Sequence, residues 1–335
     1  MQITSFFQKK PARVFIRYFL GPLLFAWLSY SIYRQIGSQP DLENSWYHIK
    51  QKFLEGGQGW MMVVVVLLMI INWSLETMKW KLCVKSVQPI GFFTAFKAVL
   101  SGVSFSVSTP NRVGEYLGRI LYMDEGNRMK AISLTITGSL SQLIITLLMG
   151  VTGLLFIRPW VQGGDILSSM WIDLITWGTI AVLFILTLFY FRIAWLTKWF
   201  EKIPGLRRYA WLFSNLEGFN ATLLLRLLSL SALRFFVFIA QYYLLFRLYN
   251  VEISWWNVWC ATSVSFLVMA VIPTIALFTD LGLRGKINLK LLGLFSNNNL
   301  GISLASVTVW IINLLIPALA GSLLILSIKK VFRKK

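Results

Sequence analysis

Charges and helix breakers are concentrated in one short stretch of the chain, "SVSTPNRVGEYLGRILYM", which runs from Ser106 to Met123. Arg112 precedes Glu115 by three residues and Arg119 follows it by four, so a helix would let the acid pair with either arginine. Guanidinium groups bind phosphate in a bidentate fashion, and helix N-termini attract anions. The pattern therefore predicts a site for a phosphate or other anionic headgroup, built from a half-helix N-terminus and arginines.

The same stretch contains breakers that set its geometry. Pro110 is expected to end the preceding apolar helix. Gly114 and Gly118 form a small-xxx-small edge that permits close approach of another helix. The alternative interpretation is a cytoplasmic loop at headgroup level, where Arg112 and Arg119 extend to the membrane surface.

Composition identifies the class of protein. The chain has 335 residues, of which 57% are hydrophobic and 13% charged, against about a quarter charged in soluble domains. Its net charge of +19 lies mainly at the ends of apolar runs, which favours anionic lipid over nucleic acid as the partner. Two cysteines and one histidine give no disulfide framework or metal site, and there is no nucleotide-binding phosphate loop. We expect no metal and no cofactor.

Apolar runs of membrane-spanning length predict an all-α, polytopic membrane bundle. Six of them are expected to be full spans, the first an uncleaved helix. They cover approximately residues 17–36, 59–80, 130–157, 171–194, 225–248 and 301–328.

Two further apolar segments are interrupted by proline and glycine, in 88–128 and 256–298. Basic residues cluster in the loops assigned to one side, so both termini are expected to be cytoplasmic. Six spans fit that parity if each broken segment enters and leaves on one side, from opposite faces. The alternative, in which each broken segment crosses twice, preserves the same parity with more spans. We adopt the first interpretation. This predicts one membrane domain, 1–335, made of inverted halves at about 1–157 and 171–335, as in inverted-repeat transporters.

The second broken segment, "VIPTIALFTDLGLRGKI", resembles a degenerate copy of the first. It supplies Pro273, Asp280, Gly282 and Arg284.

Other polar residues lie within predicted spans. Arg234 is expected to line the pathway, since an arginine at that depth should point into the bundle. Glu76 and Lys79 are interpreted as an anchor at a cytoplasmic helix end. Asn313 and Pro317 are predicted to mark a kink in the last span.

"TPNRVGEYLGRI" resembles the "TPgRvGE…R" signature of the flippase-like membrane domain of lysylphosphatidylglycerol synthases, the multiple peptide resistance factor family. "MKWKL" is similar to the end of that family's second span, and "PTIALFTDLGLRG" stands where the family has "PtPGGlGvrE". Ile275 and Ala276 replace the usual glycines there, and Gly285 replaces a glutamate.

The resemblance implies movement of phospholipids between leaflets, with headgroup contacts from Arg112, Glu115 and Arg119 in one half and Asp280 and Arg284 in the other. Without the synthases' soluble aminoacyl-transfer domain, we expect no synthesis of lysylphosphatidylglycerol.

We therefore expect a translocator of phospholipid or lipid-linked glycan in the bacterial cytoplasmic (inner) membrane, with no catalytic residue. The expected partners are the lipid substrate, the bilayer, further copies of the chain or an envelope synthase, and no nucleic acid. One alternative is a membrane glycosyltransferase or lipid-carrier transferase that uses Glu115, Asp124 and Glu125. Another is a non-transporting partner of an envelope synthase.

Overall fold

A computed structural model describes residues 30, 59–107, 109, 112–163, 168–192, 218–272 and 280–326 of the chain. All regular structure in these residues is helical. The first group of helices is α1 (Gly59–Val84), α2 (Phe92–Ser106), α3 (Gly114–Ile120) and α4 (Arg128–Gly163). A single helix, α5 (Ser169–Phe191), follows. The second group is α6 (Ala221–Leu248), α7 (Trp255–Val271), α8 (Asp280–Leu292), α9 (Asn299–Trp310) and α10 (Ile316–Leu326), with a π-helical turn, Ile311–Leu315, between the last two.

Five helices in the described part of the chain are long and apolar enough to cross a membrane: α1, α4, α5, α6 and the continuous α9–α10. They correspond to five of the six predicted spans, and the all-α, polytopic class is confirmed. The predicted span at 17–36 lies outside the described residues, except for Tyr30.

The long helices α1 and α6 pack against each other in antiparallel orientation. Gln241 of α6 donates to the Val65 carbonyl of α1 at 2.9 Å. Further along α1, Lys79 donates to Ser231 of α6 at 3.4 Å. Residue numbers rise along one helix as they fall along the other, so the C-terminal ends of α1 and α6 lie at opposite ends of the pair.

The first broken segment forms a hairpin, in which α2 and α3 pack against each other. A 15-residue helix such as α2 rises only about 22 Å, short of the roughly 30 Å of a hydrocarbon core. The two ends of the hairpin meet beside the end of α1, where the Asp124 backbone N–H donates to Gln88 at 3.0 Å. Asn127 also donates to the Val87 carbonyl, at 3.5 Å. The first hairpin therefore enters and leaves at the C-terminal end of α1.

The second broken segment, α7 and α8, is closed in the same way at the end of α6. Asn298 donates to the carbonyls of Tyr249 and Asn250, at 3.1 Å and 3.0 Å. Because α1 and α6 are antiparallel, the two hairpins enter the bundle from opposite ends. This is the inverted arrangement expected from the sequence.

Each hairpin packs on a long helix of the other half. In one contact, α7 lies on α4, where Gly150 and Gly153 let Leu267 and Cys260 approach. In the other, α10 lies on α2, where Gly321 faces Leu100. The order long helix, hairpin, long helix thus occurs twice, and the halves interlock. The bounds of the two halves, 1–157 and 171–335, remain a prediction. Residues near the start of the first half and near the end of the second lie outside the described part of the chain.

Close backbone contact inside the first hairpin depends on glycine. A Cβ on Gly118 of α3 would lie 2.5 Å from the Cα of Gly102 in α2. Gly114 likewise faces the carbonyl of Phe105. The small-xxx-small edge of α3 therefore packs against α2, the other arm of its own hairpin. This contact fixes the position of Arg119, which is the residue after Gly118 in α3.

We predict that Gly118→Ala destabilises the protein by about 1–3 kcal/mol, because the added methyl group has no room against the α2 backbone. Thermal unfolding of the purified protein in detergent measures the effect. Gly282→Ala is the matched control, since a Cβ there meets nothing within 4 Å and should cost no stability. Equal effects of the two substitutions would contradict the packing described.

The opposed hairpins predict opposite accessibility of two introduced cysteines. Gly126→Cys lies at the mouth of the first hairpin and Asn297→Cys at the mouth of the second, both at exposed positions. The native Cys83 and Cys260 are buried and should stay unlabelled. An impermeant maleimide should label the two introduced thiols from opposite sides of sealed vesicles. Labelling of both from one side would exclude the inverted arrangement.

Candidate functional site

A single buried carboxylate, that of Glu76 on α1, gathers three cationic side chains. One oxygen accepts from Arg119 of α3 at 2.8 Å. The other is 2.8 Å from the Lys79 ammonium and also accepts from Arg234 of α6. Glu76 and Lys79 are 5% and 1% exposed, respectively, so these ions are shielded from solvent. The cluster ties α1, α3 and α6 together.

The spacing of polar residues on α1 explains the position of Glu76. Asn72, Glu76 and Lys79 are separated by four and three residues and therefore share the helix face turned towards α6. Arg234 meets this face between the first two, since its Nε donates to Asn72 at 2.6 Å. Its guanidinium also lies 5.5 Å from the centre of the Trp73 ring. The arginine is thus fixed by an ion pair, a hydrogen bond and an aromatic face.

The polar contacts continue from Asn72 across the bundle. Asn72 donates to Asn313 in the π-helical turn at 3.4 Å, and Asn313 donates to Gln241 at 3.0 Å. In a π-helical turn the regular i→i−4 bonding is interrupted, a feature often found at functional sites. The kink predicted at Asn313 and Pro317 stays a prediction, and the structure has a π-helical turn at Asn313.

Glu115 and Arg119 form an i,i+4 ion pair on α3. Arg119 is 2% exposed and also lies over the Trp80 ring, 5.9 Å from its centre. It therefore shares its charge between Glu76 and Glu115. Glu115 is partly exposed and faces open space.

The second hairpin carries an equivalent pair. Arg284 lies 3.1 Å from Asp280, again with i,i+4 spacing, and donates to the Tyr242 hydroxyl at 3.3 Å. Asp280 is the first residue of α8, as Glu115 is the second of α3. Each hairpin thus places an acid–arginine pair at the start of its second arm.

Both hairpins contribute to one partly open cavity of about 410 Å³. Its wall mixes ionised and aromatic groups. The charged residues in it are Glu76, Lys79, Arg112, Glu115, Arg234, Asp280 and Arg284. The aromatic ones are Trp73, Tyr116, Phe235, Phe238, Phe266 and Trp310.

The charges in and directly behind the cavity wall do not balance. Among the described residues, with Arg119 included, there are five cations and three carboxylates, which leaves a formal excess of two positive charges. Each carboxylate is already paired with at least one cation: Glu76 with three, Glu115 with Arg119 and Asp280 with Arg284. The cavity therefore favours an anion.

Arg112 is the cation of this wall that is most available to a ligand. It is exposed and forms no ion pair with any other described residue. Its φ of 57° lies in the left-handed region, which costs a non-glycine residue about 1–3 kcal/mol. Such strain is typical of functional sites, where the side chain matters more than local stability.

The structure brings most of the predicted site residues together. Arg112, Glu115, Arg234, Asp280 and Arg284 all line the cavity.

The remaining predicted residues lie elsewhere. Arg119 is behind the wall, and Gly114 and Gly118 serve hairpin packing. Gly282 is exposed on α8. Pro110 and Pro273, predicted to break the helices, lie outside the described residues.

Interpretation of Glu76 and Lys79 as an interfacial anchor is wrong, because both are buried in the charged cluster. The signal was present in the sequence: Asn72, Glu76 and Lys79 recur at helical spacing inside an apolar run. A prediction of this helix from its apolar stretch alone puts Glu76 and Lys79 at the end of the predicted span.

The carboxylates considered for an enzyme do not share one cavity. Glu115 lines the wall, whereas Asp124 and Glu125 are exposed near the mouth of the first hairpin and are not part of it. Within the described ranges no three His, Cys, Asp or Glu side chains are grouped so that they could hold a metal ion.

Comparison with known families gives one result that covers nearly the whole chain. The family described as the lysylphosphatidylglycerol synthase TM region matches residues 18–321. Comparisons with curated proteins and with solved structures give no match.

The central position of Glu76 predicts a large loss of stability when its charge is removed. Glu76→Gln leaves buried cations without compensation and should cost about 3–5 kcal/mol in the free energy of unfolding. The matched control is Asp173→Asn, which breaks the exposed pair with Arg158 and should cost no more than about 1 kcal/mol. If denaturant titrations gave the same loss of unfolding free energy for both variants, the Glu76 cluster would not be essential for stability.

Proposed function

The chain belongs to the family of the lysylphosphatidylglycerol synthase TM region, and from this membership and the cavity we propose that it translocates a lipid with an anionic headgroup. The family consists of membrane proteins involved in lipid handling. The observation that carries the proposal is the charged cavity, which both hairpins line and which holds a formal excess of positive charge.

The chemistry of the cavity fits the barrier that a lipid headgroup meets. A phosphate cannot enter hydrocarbon without replacement of its hydration, since an isolated charge there is very costly. Arg112, Arg234 and Arg284 offer guanidinium groups along the cavity wall. Acyl chains have no such barrier and can remain in the bilayer while the headgroup passes through the protein.

The inverted hairpins suggest how access could alternate. The start of the second arm of each hairpin lines the cavity, and the two hairpins enter from opposite ends of the bundle. Movement of one half against the other would open the cavity at one end and close it at the other, as in inverted-repeat transporters. The π-helical turn at Asn313 lies in the wall between the halves and is a suitable hinge.

We favour transport over catalysis because of the pairing of the acids. Glu76, Glu115 and Asp280 each accept from a cation, so none of the described acids in the wall is a free general base. The proposal includes the lipid and the bilayer as partners. It places the chain in a bacterial inner membrane with both termini in the cytoplasm.

Tail-labelled phosphatidylglycerol in proteoliposomes tests the function. Dithionite quenches the label in the outer leaflet, so translocation appears as a loss of protected fluorescence. We expect the wild-type protein to accelerate this loss and Arg112→Gln to slow it about tenfold, as removal of a hydrogen bond to a charged group would. Arg112 has no acid partner among the described residues, so the variant should fold normally.

Arg247→Gln is the matched control, because Arg247 is exposed outside the cavity and contacts Tyr243. It should translocate the lipid at the wild-type rate. Failure of the wild-type protein to move anionic or lipid-linked substrates, in a folded state, would refute the proposed function.

A further inference from the structure

Three polar atoms that belong to residues of the cavity wall have no hydrogen-bond partner among the described residues, although each atom is buried. They are Trp73 Nε1, Arg284 Nε and Gln142 Oε1. Trp73 is 6% exposed. Buried polar groups in proteins are nearly always hydrogen-bonded, so a group of three around one cavity indicates a ligand or water that completes them.

The three atoms require different partners. An indole N–H and a guanidinium N–H can only donate, so they need an acceptor. The amide oxygen of Gln142 on α4 can only accept, so it needs a donor. A phosphate supplies acceptors but, when fully ionised, no donor. A ligand that completes all three atoms therefore brings a hydrogen-bond donor besides its phosphate.

An ammonium group would donate to Gln142, but its positive charge would be repelled by the net positive charge of the cavity. Among the described residues, the wall and Arg119 behind it carry two more positive than negative charges, and Glu76, Glu115 and Asp280 are already paired. An added cation would find no free carboxylate among the described residues. A hydroxyl group adds no charge and both donates and accepts, so it can satisfy Gln142 and Trp73 alike.

We propose that the cavity selects a hydroxyl-bearing phosphate headgroup, a polyol or sugar phosphate, over an ammonium-bearing one, with Trp73 and Gln142 as the specificity-determining residues. This inference rests on the proposed function and specifies its substrate. The aromatic wall agrees with it, since Phe235, Phe238 and Phe266 offer apolar faces to the carbon skeleton of such a headgroup.

Native mass spectrometry of the purified protein with competing lipids tests the selection. Phosphatidylglycerol carries hydroxyls, phosphatidylmethanol has the same charge and none, and lysyl-phosphatidylglycerol adds ammonium groups. We expect phosphatidylglycerol to bind about tenfold more tightly than phosphatidylmethanol, the effect of unmade hydrogen bonds. Lysyl-phosphatidylglycerol should bind more weakly than phosphatidylglycerol.

A polyprenyl-phosphate sugar provides the second source of the same chemistry. Tighter binding of this lipid than of phosphatidylglycerol would support the selection and identify a lipid-linked sugar. The reverse order would support it and identify a glycerophospholipid.

Two variants test whether Gln142 and Trp73 cause the preference for hydroxyl-bearing headgroups. Gln142→Met removes the acceptor and Trp73→Phe removes the N–H while keeping a ring beside Arg234. Each should reduce the preference for phosphatidylglycerol over phosphatidylmethanol about tenfold. Trp259→Phe is the matched control, since Trp259 also has an unpartnered N–H but lies outside the cavity wall. Its preference should equal that of the wild type.

The outcomes separate this inference from the proposed function. Equal binding of phosphatidylglycerol and phosphatidylmethanol, or unchanged preference in both variants, overturns the inference while translocation can still stand. Absence of binding by any anionic lipid overturns the proposed function with it.

Discussion

The rest of the structure depends on compensation of the Glu76 charge inside the bundle. A carboxylate buried in a membrane protein must be paired, and Glu76 is paired with cations from α1, α3 and α6. These contacts determine where the tip of the first hairpin lies relative to the long helices. They also hold Arg234 at the cavity wall, where its guanidinium meets both an acid and an aromatic ring. A structural ion cluster and a candidate anion site thus share the same arginine.

The cavity follows from the way the two halves interlock. Each hairpin is too short to cross the bilayer and ends inside the bundle, and irregular backbone at that depth must be buried or line a polar space. With hairpins from opposite ends, described residues of both hairpins line one cavity. The acid–arginine pairs on α3 and α8 occupy corresponding positions, but the surroundings differ. The first is beside the Glu76 cluster, whereas Arg284 has Asp280 and Tyr242 as partners.

Much of this organisation could be predicted from the sequence. Apolar length identifies the spans, and proline and glycine beside charges identify the broken segments. The i,i+4 spacing in "GEYLGR" and "DLGLR" correctly places each acid beside its arginine, because that spacing acts within one helix. The inverted orientation fits the parity set by the basic residues, but two crossings by each broken segment would preserve the same parity, so the sequence alone does not decide between them.

Contacts between distant helices could not be read in this way. Glu76 gains its role from Arg119 and Arg234, which are far away in sequence, and only the helical spacing of Asn72, Glu76 and Lys79 hints at it. Gln142 has no local signal at all. The side-chain amide of a lone glutamine in an apolar helix can find hydrogen-bond partners in many ways. Only the folded structure shows that the Gln142 oxygen has no partner among the described residues and belongs to a residue of the cavity wall.

We propose that a phosphate headgroup occupies the cavity that both hairpins line. Cryo-electron microscopy of the protein in nanodiscs containing phosphatidylglycerol tests this most directly. We expect headgroup density within hydrogen-bonding distance of at least one of Arg112, Arg234 and Arg284, with the acyl chains leading into the bilayer. A map in which packed side chains separate Arg112 from Arg284, with no hollow between them and lipid only at the outer surface, would contradict it.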